Sequence, residues 1–163
     1  MKREHLITWE DPLLSAKAAR ELEGVVFLQK LIDGEIAMPP ISKTMGFTLA
    51  HVEKGSVTWT LEPLELHYNP IGTVHGGVLS TLMDSALGCA VHSALDAGVG
   101  YTTVQLNINL IRVVTVDTGL LTCVGTVSHL GRSMATAKSD IRDADGKLYA
   151  ESTTTCYIFQ PDK

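Results

Sequence analysis

Apolar and polar positions change their period several times along this chain, and each change marks an element. From Asp11 to Gly34, Leu14, Ala18, Leu22, Val25, Val26 and Leu31 form a rough stripe among helix formers. This predicts a helix over 11–34, with Asp11 as its cap and Pro12 at its first position. Gly34 is a stop, and Pro39-Pro40 rules out continuation. Two strand-like runs follow at 44–53 and 56–66, joined by a turn at Lys54-Gly55. In the second, Val57, Trp59 and Leu61 alternate with Ser56, Thr58 and Thr60, the pattern of a half-buried strand. From His75 to Leu95 adjacent apolar pairs recur every four residues, which predicts a helix buried over most of its circumference. Four further strands, 101–113, 119–130, 133–143 and 147–159, are separated by the turn signals Asp117-Thr118-Gly119, Leu130-Gly131-Arg132 and Asp143-Ala144-Asp145-Gly146.

The order is thus helix, strand pair, buried helix, four strands. Short connections make the strands antiparallel neighbours. The expected class is α+β, with a curved sheet of about six strands wrapped around a long central helix and an extra N-terminal helix. Residues 1–43 form a helical extension and 44–163 the main domain, within one compact unit. An open sheet edge has to be covered, and pairing with a second copy of the chain is one solution.

Composition narrows the function. The chain has 163 residues, 45% of them hydrophobic, enough for one sizeable core. A net charge of −5, with five basic against seven acidic residues in the first forty, argues against nucleic acid as partner. Three cysteines at long spacings, Cys89, Cys123 and Cys156, suggest neither a disulfide framework nor a zinc site. No signal-like start and no apolar run of spanning length occur, so the expected location is the cytoplasm, away from membranes.

The chemistry concentrates in Asn69–Asp84, N-P-I-G-T-V-H-G-G-V-L-S-T-L-M-D. Asp84 is the one charged residue of the apolar helix, and a carboxylate there needs compensation. Gly77, Ser80, Thr81 and Gly88 share its face, all small, which leaves room beside the acid. The residue reads either as an Asp bonded within the protein or as a general base or nucleophile in a sheltered pocket. His75-Gly76-Gly77 opens the helix, where backbone N–H groups lack intrahelical acceptors and the helix dipole favours negative charge. The glycines suit an oxyanion site; the plainer reading is tight packing. Asn69 reads as a turn cap or as a group orienting water or a carbonyl. The spacing of His67, His75, Asp84 and His92 does not fit a metal site.

The segment Asn69 to Ala90, with its Asn–six–HGG–seven–Asp spacing, resembles the hotdog-fold acyl-CoA thioesterases of the PaaI-like (phenylacetic acid degradation) group. Segments 102–109 and 143–150 are similar to family segments as well. The resemblance implies a metal-free active site between two subunits of a homodimer, often a dimer of dimers. It implies that the Gly76 N–H polarises the thioester carbonyl and that Asp84 of the facing subunit acts as base or nucleophile. Asn69 and His75 then help place the water or support the helix start, and Thr103 assists the water. Gly77 and Thr81 line the substrate, while Gly131, Arg132 and Ser133 form a turn near the coenzyme A arm. Coenzyme A enters as part of the substrate, with no further cofactor. Two rivals share the fold: a non-catalytic acyl-CoA-binding module or sensor, and a dehydratase or hydratase. Val113-Val114 stand where members often carry a proline, and the first forty residues have no counterpart in compact members.

Overall fold

The computed structural model describes residues 2–159. Three helices come first: α1 (Pro12–Glu21), α2 (Gly24–Ile32) and α3 (Pro40–Met45). A hairpin follows, β1 (Phe47–Glu53) and β2 (Ser56–Leu61), then the long helix α4 (Gly76–Ser93). The chain ends in β3 (Gly100–Leu110), β4 (Leu121–Leu130), β5 (Met134–Arg142) and β6 (Leu148–Phe159). All six strands pair antiparallel in one sheet, in the order β1-β2-β4-β5-β6-β3.

The sheet curves around α4 because its inward residues alternate cleanly. On β5, Ala135, Ala137, Ser139 and Ile141 face the helix. On β6 these are Ala150, Ser152, Thr154, Cys156 and Ile158. Small inward side chains let the strands approach a helix whose own Leu82, Met83, Ala86, Leu87, Ala90 and Val91 are wholly buried. Contact is closest at Gly125 of β4, where a Cβ would stand 2.3 Å from the Ala86 carbonyl oxygen. Only glycine fits between those two backbones.

Four of the expected boundaries move. The single helix expected over 11–34 is two helices broken at Leu22-Glu23, both extended. The break lets the Gly24 N–H reach the Leu95 carbonyl beyond the end of α4, at 3.0 Å. At that junction a Cβ on Gly24 would lie 1.7 Å from the His92 carbonyl oxygen. A tertiary hydrogen bond thus overrides helix propensity. The strand expected from residue 44 begins at Phe47, because Pro40 starts the short helix α3 and Gly46 ends it in the left-handed region. The strand expected to reach 66 stops at Leu61, and Glu65–His67 form a 3-10 turn. The strand expected to reach 113 stops at Leu110.

The two sheet edges differ. Helix α2 packs on β1. Among the described residues no strand lies beside the outer edge of β3, and its bulge residue Val104 is 57% exposed. Leu110, Ile111 and Val113 continue this apolar margin.

Candidate active site

Helix α4 begins with His75 as its cap. The His75 Nδ1 accepts the Gly77 N–H at 2.8 Å, so the ring proton sits on Nε2. The next amide, Val78, donates to the His75 carbonyl at 2.9 Å. That leaves Gly76 as the amide of this turn with no acceptor among the described residues. Gly76 lies partly buried in a cleft of about 270 Å³ that Asn69, Thr73, Leu79 and the stretch 110–114 also line. Of the two glycines, Gly76 therefore keeps a free donor, while the Gly77 donor is already engaged.

Asn69 builds the approach to that turn. Its Oδ1 accepts the Ile71 and Thr73 amides at 3.0 and 3.2 Å, and its Nδ2 donates to the Thr73 hydroxyl at 2.9 Å. The His75 N–H donates to the His67 carbonyl, and the Val74 N–H to Val114. The cap duty of Asn69 is thus visible in full, and its amide faces its own loop.

Asp84 stands two turns further along α4, half-buried. Its side-chain partner is Thr103 of β3, whose hydroxyl donates to Oδ1 at 3.1 Å. Thr103 faces inward beside the β3 bulge, opposite Cys156. The hydroxyls of this helix turn back on its own backbone: Ser80 to Gly76, Thr81 to Gly77, Ser85 to Thr81 and Ser93 to Ala90, each at 2.8 Å. Thr81 thus stands beside Asp84 but is already committed. Burial pushes the nearby Cys89 thiol up to about 12 and raises Cys156 as well, with Asp84 adding to both. These thiols stay protonated and are poor nucleophiles.

Gly131, Arg132 and Ser133 form the β4–β5 turn, closed by the Gly131 N–H on the Met134 carbonyl at 2.8 Å. Pairing of Thr103 with Cys156, Cys156 with Ala135 and Ala135 with Leu130 puts this turn level with Thr103, three strands away across the sheet. Within one chain, then, Asp84 and Thr103 come together, as do Gly76 and Asn69. These two pairs stay apart: Asp84 lies eight residue steps along the helix from Gly76, ~12 Å along the axis.

Sequence reasoning passed over Tyr101. It faces inward two residues before Thr103, and its hydroxyl lies over Gly88, 2.7 Å from where a Cβ would be. The period-two pattern of β3 was the available signal, since Tyr101 and Thr103 share one face.

The family model of the thioesterase superfamily matches residues 71–150, the span that holds α4 and the strands facing it. The chain belongs to the thioesterase superfamily. It is a PaaI-like hotdog-fold thioester hydrolase. A 1,4-dihydroxy-2-naphthoyl-CoA hydrolase of Listeria monocytogenes is 27% identical over 118 residues, 72% of this chain and 94% of the relative. A phenylacetic acid degradation-related protein of Ralstonia eutropha is 27% identical, with TM-score 0.72 over 80% of this thioesterase and 98% of that chain. A hypothetical thioesterase protein of Streptococcus pneumoniae, solved with coenzyme A, is 27% identical, with TM-score 0.64 over 72% and 88% of the two chains. Among the described residues no helix is long and apolar enough to cross a membrane.

Proposed function

We propose that this thioesterase hydrolyses acyl-CoA or aryl-acyl-CoA thioesters to the free acid and coenzyme A, at sites shared by two copies of the chain. One observation carries the reading. The unpaired Gly76 amide and the Asp84 carboxylate suit one thioester carbonyl, yet lie too far apart in one chain to meet on it. Antiparallel pairing of two β3 edges, centred between Leu106 and Asn107, would bring Leu110 of one copy opposite Thr103 of the other. Gly76 packs on Leu110 and Asp84 bonds Thr103, so the same pairing brings the donor of one copy to the base of the other. The coenzyme A of the pneumococcal neighbour and the CoA ester of the Listeria relative support the substrate class.

In this reading Thr103 holds Oδ1 and leaves the other oxygen of Asp84 for a water molecule. Asp84 removes a proton from that water as the oxygen attacks the carbonyl carbon. The Gly76 N–H, at the positive end of α4, takes the developing oxyanion. Collapse breaks the C–S bond, and the departing thiolate recovers the proton. His75 fixes the geometry of the turn and Asn69 the loop before it. Gly77 and Thr81 form the wall nearest the thioester, and the turn Gly131–Ser133 of the other copy, which the same pairing would set toward the Gly76 end, receives the coenzyme A arm, with Arg132 toward a phosphate. No metal and no cofactor are called for, coenzyme A being part of the substrate, so a chelator should leave turnover unchanged.

The test is thiol release across a panel of acyl-CoAs, with Asp84→Asn as control. Loss of about a hundredfold or more in kcat is expected in the variant. Unchanged turnover would remove Asp84 from the mechanism, and tight binding without release would favour the acyl-CoA sensor.

A further inference from the structure

Strand β3 and helix α4 run beside each other in matched steps. Inward residues Thr103 and Tyr101 are ~7 Å apart along the strand. Asp84 and Gly88 are ~6 Å apart along the helix. Each step makes one cross-contact: Thr103 with Asp84 at 3.1 Å, and the Tyr101 hydroxyl over Gly88. Behind Tyr101 lies His92, ring centroids 5.7 Å apart, and behind His92 lies Phe27 of α2, edge to face at 5.5 Å. His92 and Phe27 are each 8% exposed. Three aromatic rings therefore stand in series across the end of the Asp84 face.

Burial rises along that face. Gly77 is exposed, Thr81 and Asp84 are half-buried, and Gly88 and His92 are buried. A thioester at Asp84 has two unlike arms. The coenzyme A arm is long, polar and anionic and belongs at the open end. The acyl arm is the apolar one, and its place is the closing end.

We propose that Tyr101, backed by His92 and by Phe27 of the N-terminal extension, is the floor of the acyl pocket. It restricts the enzyme to acyl groups ending about one helical turn past the carbonyl. This rests on hydrolysis at Asp84. One turn holds roughly four or five carbons beyond the carbonyl, or a single aromatic ring. Tyr101 is thus a specificity-determining residue, and Phe27 a positioning residue that acts through His92. The hydroxyl of Tyr101 has no hydrogen-bond partner among the described residues, so its place follows from packing over Gly88.

The test compares kcat/KM of the full chain for acetyl-, butanoyl-, benzoyl-, decanoyl- and hexadecanoyl-CoA in wild type, Tyr101→Ala and Phe27→Ala. Wild type is expected to favour butanoyl or benzoyl over decanoyl by about a hundredfold. Tyr101→Ala raises decanoyl relative to butanoyl by about tenfold or more, and Phe27→Ala shifts the profile the same way by less. Should Tyr101→Ala fail to fold, Tyr101→Leu shortens the floor and serves the same comparison. A wild type that hydrolyses hexadecanoyl-CoA as readily as butanoyl-CoA overturns the proposal. So does a folded Tyr101 variant with an unchanged chain-length profile. Absence of thiol release from every ester, or full activity in Asp84→Asn, strikes instead at the hydrolase reading beneath it.

Discussion

Thr103 holds one oxygen of Asp84, and this single bond sets how the carboxylate presents its other oxygen. Thr103→Val keeps the shape and removes the donor, so kcat should fall about tenfold, while Thr103→Ser retains most of it. Steady-state kinetics of the pair check this. His75 acts through its ring nitrogen on the Gly77 amide. His75→Ala should lower stability by about 1 kcal/mol in denaturant titration, and His75→Asp should restore the cap. His92 is held neutral by burial, its pKa lowered from 6.5, and neither ring nitrogen has a hydrogen-bond partner among the described residues. The unfolded ring takes a proton near pH 6.5 while the folded one resists until lower pH, so the unfolded state binds more protons between those values. Stability therefore rises with pH through that window and is fully present above 6.5. Urea titrations from pH 5 to 8 should show this slope weakened in His92→Phe. Asp84 was legible at this scale because a lone charge in an apolar helix stands out in any sequence. Tyr101 was not, because its meaning depends on Gly88 being the residue that lies beneath it.

Among the elements, α4 and strands β4 to β6 follow their apolar periods closely, because burial decides them and burial is written in the period. The break at Leu22-Glu23 escapes such reading. It is fixed by the Leu95 carbonyl, far along the chain, and no local propensity announces that partner. Helix α3 hides for a related reason: Pro39-Pro40 reads as a terminator, yet Pro40 is also a good first residue. The clearest element-scale prediction concerns backbone contact. Gly125→Ala forces a methyl group to within 2.3 Å of the Ala86 carbonyl, and neither backbone can yield cheaply. A loss of about 1–3 kcal/mol is expected, read as a lower midpoint in thermal unfolding.

For the whole molecule, the proposed pairing of Gly76 with Asp84 on one carbonyl, across the ~12 Å that separates them in one chain, would make activity a property of two chains. Gly76→Pro removes the amide at a helix position that accepts proline. Asp84→Asn and Gly76→Pro are each expected to be inactive alone. Mixed and reassociated, they should regain about a quarter of wild-type activity, because half the pairs are mixed and each carries one intact site. A site confined to one chain regains none. A charge on the open edge, Val104→Lys, should separate the copies in sedimentation and abolish thiol release together. The edge itself was legible from strand count and connection length. What the sequence withheld was which residues of β3 meet which residues of α4, since that follows from the bulge at Val104 and the sheet's final curvature.

If the aromatic series from Tyr101 to Phe27 is the sieve for chain length, it starts on the same helix and strand as the proposed reacting groups and ends on a different stretch of polypeptide. Asp84, Gly76 and Thr103 belong to the sheet-wrapped helix and its neighbour strand, whereas the last brace of the sieve comes from a segment ahead of them. Substrate range can therefore drift, in a descendant or in an engineer's library, by rewriting the opening residues while the hydrolytic machinery stays untouched.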